Sequence, residues 1–137
     1  ELTNDLLSIM EEGHADFTLV FRLLAQALHG DSKPVRHLFE EPIAFDIWEQ
    51  RWRSRFEQDG ITEETRLQLM NRVNPIYIPR NHKVEEALTA AVNHNDMMPF
   101  SNLLSVLIHP FDEVLGKEAY ARPAPASDVL YRTFCGT

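Results

Sequence analysis

The chain has 137 residues, 44% of them hydrophobic, with 8 prolines, 5 glycines and a single cysteine. The length fits one domain, or one domain with a tail. The apolar fraction and proline count exclude a disordered chain, and no apolar run approaches the roughly 18 residues of a membrane span. Thirteen Lys and Arg against 21 Asp and Glu leave a net charge of −8, which argues against a protein that grips phosphate backbones; one cysteine excludes an internal disulfide or a cysteine-rich zinc site.

The elements follow from helical periodicity. Leu2, Leu6, Leu7 and Met10 predict a short helix ending near Gly13. Asp16 is placed to cap a second helix, with Phe17, Val20, Phe21, Leu24, Ala27 and Leu28 on one face and Gly30 at its end. Ser32 to Phe39 predicts a short helical turn, with Pro34 near its start. Phe45, Trp48, Trp52 and Phe56 lie at steps of three, four and four, one aromatic stripe on a helix closed by Gly60. Thr62 caps a helix carrying Leu67, Met70 and Val73, and Asn74-Pro75 stops it, because the residue before proline is pushed out of the helical region. Pro75 and Pro79 then bracket a stiff connector.

Beyond the connector, Asn81 is expected to cap a helix with Val84, Ala87, Leu88, Ala91 and Val92 inward. Asp96 is expected to cap another with Phe100, Leu103, Leu104, Leu107 and Ile108 inward, ended by His109-Pro110. Residues 121–126 read as extended, polyproline-like chain. The expected fold is all-α: about six or seven short helices in an irregular bundle over residues 1–118, with an extended C-terminal tail over 119–137. With no signal peptide at its start, the chain is expected to be intracellular. Because it starts at Glu1, a processed form and a piece of a longer protein both stay open.

The chemistry-bearing residues are few. Six histidines invite a metal site, but His14 with Asp16, His94 with Asp96 and His109 with Asp112 lack the paired spacing of a helical zinc site. A metal-binding bundle would need three or more of His14, His82, His94, His109 and nearby carboxylates to converge. Arg51, Arg53 and Arg55 suit phosphate, yet Arg53 follows Glu49 by one helical turn and pairs with it more simply. No G-x-S-x-G elbow and no glycine-rich phosphate loop occurs, so catalytic and cofactor-binding residues are expected to be absent from this chain. Two places stand out: the connector with Asn74, Pro75, Arg80, Asn81 and His82, and the terminus with Cys135. The local reading of the connector has Asn81 capping and Arg80 and His82 bonding loop carbonyls.

Those two places also carry a resemblance. Asn74-Pro75-x4-Arg80-Asn81-His82, then Asn95-Asp96, Leu103-Leu104, His109-Pro110-Phe111, Tyr120-Ala121-x-Pro123 and the terminal Phe134-Cys135-Gly136-Thr137 run in the order of the C-terminal end of the selenoprotein O (SelO, or YdiU) family. His14-Ala15-Asp16-Phe17-Thr18 and Phe21-Arg22-x-Leu24 resemble the segment before it. The resemblance implies a parent with a kinase-like fold that moves AMP from ATP to protein hydroxyl groups, using magnesium. It implies that ATP and magnesium sites lie N-terminal to this chain, and that the partners are that missing core and, through it, protein substrates. Neither nucleic acid nor membrane is implied. Location is then cytoplasmic for a bacterial member and mitochondrial for a eukaryotic one. The selenocysteine of the selenium-containing members lies near the C-terminus, and the corresponding neighbourhood here offers Cys135, so the chain resembles a cysteine-containing homologue with Cys135 as the redox candidate; the two-position redox motif of the selenium forms is not complete in it. The alternative to a helical domain packed on a kinase-like core is a free-standing helical interaction module.

Overall fold

The structure, a computed structural model, describes residues 1–125, and among them the regular elements are all helices. They fall into two compact units, one over Glu1–Pro75 and one beginning at Ile76. No helix among the described residues is long and apolar enough to cross a membrane.

The first unit holds α1 (Leu2–Glu12), α2 (Phe17–Ala27), α3 (Lys33–Arg36), α4 (Pro42–Asp59) and α5 (Glu63–Val73). Its helix starts obey the capping chemistry of the sequence. The Asp16 side chain accepts from the Leu19 amide at 2.9 Å, and the Thr62 hydroxyl accepts from the Thr65 amide at 3.3 Å. Gly60 ends α4 at φ 66°, a left-handed conformation that costs glycine little. Gly13 serves a different need: a Cβ there would lie 3.0 Å from the Ile9 carbonyl and 3.1 Å from the Phe39 ring. The core gathers Leu6 and Met10 of α1, Val20, Leu24 and Ala27 of α2, Val35, Phe39, and Phe45 and Trp48 of α4. α5 contributes no buried residue; Met70 is half-buried against the core and Val73 is exposed. Phe17, expected on the inner face of α2, is exposed and leans on Phe21 with ring centroids 4.9 Å apart.

The second unit holds α6 (Asn81–His94), α7 (Met98–Leu107) and the single turn α8 (Glu118–Ala121). α6 and α7 pack on one another. Among its described residues the buried set is small: Tyr77, Arg80, Ala87, Leu103 and Val106. The expected inner faces are corrected here. Leu88 and Val92 on α6, Phe100 and Leu104 on α7, and Ile108 at its C-cap are exposed. Periodicity marks the apolar side of a helix but not whether a neighbour within the same chain covers it. Asn81 is corrected too: it is the first helical residue, Arg80 holds the capping position, and no side chain caps the start. Asp96 is displaced as well: Met97 holds the capping position of α7 with no side-chain cap, and the Asp96 carboxylate, one residue earlier, accepts from the Met98 amide at 2.9 Å. The extended run expected from 121, and the tail expected from 119, are corrected at their start: Ala121 closes the single turn α8, and the chain turns extended only at Arg122, at φ −76° and ψ 142°. Cys135, with the rest of residues 126–137, lies outside the described residues.

Candidate functional site

The aromatic stripe of α4 is a continuous stack. Phe45 and Trp48 lie 6.0 Å apart, Trp48 and Trp52 5.5 Å apart, and Phe56 meets Trp52 edge-on at 4.7 Å. Burial fades along it: Phe45 and Trp48 are buried, while Trp52 and Phe56 are partly open. The Trp48 indole N–H donates to the Leu2 carbonyl at 2.8 Å, so the polar edge of the ring is satisfied.

Arg66 finishes the stripe, a role that the sequence analysis does not assign to it. Its guanidinium stands 3.9 Å over the Phe56 ring and binds both oxygens of Asp59, at 2.9 and 2.7 Å. The signal was the seven-residue spacing across the Gly60 turn, which folds α5 back onto the end of α4. The Arg66 hydrogen bonds, then the Ile61 amide, hold the Asp59 carboxyl down at about 2, against an ordinary 3.8. A depressed acid stabilises the fold fully above its unfolded value and loses that stabilisation as pH falls through its folded one. The melting temperature advantage of the parent over Asp59→Asn is therefore expected to be constant above about pH 5 and to shrink to a small fraction by about pH 2. Thermal melts of both proteins across that range check it; a constant difference down to pH 2 would show that the ion pair contributes nothing.

The three arginines of α4 have separate fates. Arg53 pairs with Glu49 at 2.6 Å, as its spacing predicts, and also reaches the Ala27 carbonyl and the Ser32 hydroxyl. It therefore ties the end of α2 and the start of α3 to α4. Arg51 binds Asp5 at 2.8 Å. Arg55 makes no hydrogen bond or ion pair among the described residues and lies exposed.

The motif residues of the connector divide. Asn74 and Pro75 close the first unit. There the Arg22 guanidinium donates to the carbonyls of Asn71 and Asn74, at 3.1 and 3.2 Å, satisfying the open end of α5. Arg80, Asn81 and His82 line a shallow groove of about 310 Å³ in the second unit, with Ile78, Pro79 and Ala124. Arg80 is 8% exposed, unusual for an arginine. His82 bonds no loop carbonyl among the described residues, contrary to expectation. Burial, reinforced by Lys83 and Arg80, pushes its imidazole below the ordinary range, so it is neutral at pH 7. Tyr77 anchors the connector: the Ile76 and Tyr77 amides share the Pro110 carbonyl, and the Tyr77 hydroxyl accepts from the Val114 amide at 3.1 Å.

The histidines do not converge among the described residues. His14 faces Glu40 at 3.3 Å, His29 faces Glu63 at 2.7 Å, and His109 stands 3.9 Å from Asp112. No three side chains of metal-ligating type gather there.

A family model described as protein adenylyltransferase SelO matches residues 1–108. Among curated relatives, a protein nucleotidyltransferase YdiU from Mycobacterium sp. (strain KMS) is 49% identical over 136 residues, covering 99% of this chain and 26% of the relative. Proteins of the same name from Rhodopseudomonas palustris (strain HaA2) and Maridesulfovibrio salexigens are 46% and 42% identical; each alignment covers 100% of this chain and 28% of the relative. The chain thus spans little more than a quarter of the length of these relatives.

Proposed function

The chain belongs to the SelO family of protein adenylyltransferases, and from that premise we propose that it is the helical, non-catalytic C-terminal part of such an enzyme. In this reading residues 1–118 pack on a kinase-like core, which binds ATP and magnesium and transfers AMP to protein hydroxyl groups. Residues 119–137 form a tail. The observation that carries the reading is the exposed apolar side of the second unit. Leu88 and Val92, one turn apart on α6, are 49% and 81% exposed, and Leu104 of α7 and Ile108, one turn on at its C-cap, are 47% and 62% exposed. Water-facing apolar rows of this kind mark surfaces that another body covers. The test is to express the remainder of the longer polypeptide separately and measure its association with this chain. Association is expected, weakened at least about tenfold by Leu104→Glu with Ile108→Glu, since two buried leucine-sized side chains are worth more than about 1.4 kcal/mol. No association would sink the reading.

The isolated chain should give a flat calorimetric titration with ATP and magnesium, because the phosphate cradle and metal-binding carboxylates of phosphoryl chemistry are assigned to the core. A saturable micromolar signal would overturn that assignment. Redox control, the finer part of the proposal, rests on Cys135. Its thiol and a thiol of the core would be oxidised by a peroxide to a disulfide, the two electrons and two protons passing to the peroxide as water forms. Peptide mapping of the full-length protein without reductant tests this. Cys135 found only as free thiol after mild oxidation would remove it.

A further inference from the structure

We infer that Asp59-Gly60, at the turn between α4 and α5, is a site of spontaneous backbone modification, aspartate to isoaspartate, and that Arg66 keeps it closed. Of the five glycines only Gly60 follows an aspartate or asparagine. The reaction needs no enzyme and no co-reactant but water. The Gly60 amide nitrogen attacks Cγ of the protonated Asp59 carboxyl. The amide hydrogen and the carboxyl hydroxyl leave as one water, and a five-membered succinimide forms. Water then opens the ring. Attack at Cγ restores aspartate; attack at the main-chain carbonyl carbon of Asp59 gives isoaspartate, whose main chain runs through Cβ and Cγ. Glycine favours closure because it has no Cβ to crowd the approach of its amide. Both residues are exposed, so water reaches the turn.

Arg66 grips this turn on both sides. Its guanidinium donates to the two Asp59 oxygens, at 2.9 and 2.7 Å, and to the Ile61 carbonyl at 3.3 Å. The Ile61 amide donates to the same carboxylate at 3.1 Å, and Arg55 adds a second positive charge nearby. Each of these favours the ionised carboxylate, which has no hydroxyl to lose as water. The ring closes only when side chain and backbone both rotate about Asp59, and that rotation breaks these bonds. Isoaspartate then lengthens the turn by one methylene and leaves its free carboxylate directly on Cα. Arg66 loses its two-point partner and, with it, its post 3.9 Å over the Phe56 ring. Refolding does not reverse the change, so it marks chains whose α4–α5 turn has opened.

The test incubates the chain at about pH 6 and follows isoaspartate at position 59 by peptide mapping, with fragmentation that tells isoaspartate from aspartate. The capped peptide acetyl-Gln-Asp-Gly-Ile-amide, the same four residues without the clamp, is the reference. The chain should isomerise at least about tenfold more slowly than the peptide, since a carboxyl held at about 2 rather than 3.8 is protonated about tenfold less for each unit. Arg66→Gln should speed the chain at least about fivefold, by loss of most of that shift. Phe56→Leu disturbs the same contact but leaves the carboxylate clamped, so it should stay slow. Thermal melts show which variants remain folded. Should Arg66→Gln not fold, Arg66→Lys, which keeps the charge with one contact in place of two, is read instead and should fall between parent and peptide. A chain that isomerises as fast as the peptide overturns the inference. So does a folded Arg66 variant no faster than the parent, or equal rates in the Arg66 variant and Phe56→Leu, which would assign the protection to the fold as a whole.

Discussion

Trp48→Ala is expected to abolish the cooperative unfolding of the first unit or to lower its melting temperature by at least about 15 °C. The ring is 3% exposed and sits inside the stack between Phe45 and Trp52. It touches the α1 side of the core as well, through its bond to the Leu2 carbonyl. Truncating a buried tryptophan costs about 3–5 kcal/mol, against about 5–15 kcal/mol for a whole domain. In a domain of this size each kcal/mol moves the midpoint by about 4–8 °C. Helical ellipticity followed through a thermal melt measures it. Trp48→Phe keeps most of the ring and loses one hydrogen bond, so it should fall by only about 1 kcal/mol more than its volume change costs. A Trp48→Ala melt within a few degrees of the parent would mean that the stack is ornamental.

The stripe was legible because its spacing, aromatic content and closing glycine all pointed one way. Caps were legible for the same reason: Asp16 and Thr62 sit where a short polar side chain has an amide to satisfy, and both do so. What the sequence hid was every contact made by a long side chain across a turn. Arg22 on the carbonyls of Asn71 and Asn74 spans 49 and 52 residues, and no local pattern announces it. The Arg66 clamp on Phe56 is shorter in sequence, yet needs the Gly60 turn to exist first. The faces of α6 and α7 were misread for a deeper reason. Leu88, Val92, Leu104 and Ile108 are apolar and correctly spaced, but spacing marks an apolar side and does not say whether another element of the chain covers it. Asn81 shows how fine the limit is, since a cap displaced by one residue changes which side chain matters and leaves the helix intact.

The candidate site was legible only as a cluster of residue types. Asn74, Pro75, Arg80, Asn81 and His82 are adjacent in sequence, but Asn74 and Pro75 finish one unit while Arg80, Asn81 and His82 line a groove in the next. Tyr77, between them, was read as part of a stiff connector. Its burial is what makes the connector stiff, and it leads to the second large effect.

Tyr77→Ala is expected to melt the second unit while leaving the first folded. Tyr77 is 2% exposed and, among the described residues, is the aromatic member of a buried set otherwise made of Arg80, Ala87, Leu103 and Val106. Its hydroxyl also holds the Val114 amide at 3.1 Å, fixing the loop after α7. Removing a buried aromatic side chain costs about 3–5 kcal/mol, and a unit with so few buried residues has little to set against that loss. Two probes separate the units. Both tryptophans, Trp48 and Trp52, belong to the first, so their emission should stay at the parent's wavelength and melt at the parent's temperature. The ellipticity of α6 and α7, 14 and 10 residues, should be lost at room temperature. Tyr77→Phe keeps the packing and forfeits one hydrogen bond of about 1 kcal/mol, so its second unit should remain folded at a lowered midpoint. If tryptophan emission and ellipticity change together in Tyr77→Ala, the two units unfold as one and the separate role given to Tyr77 is wrong.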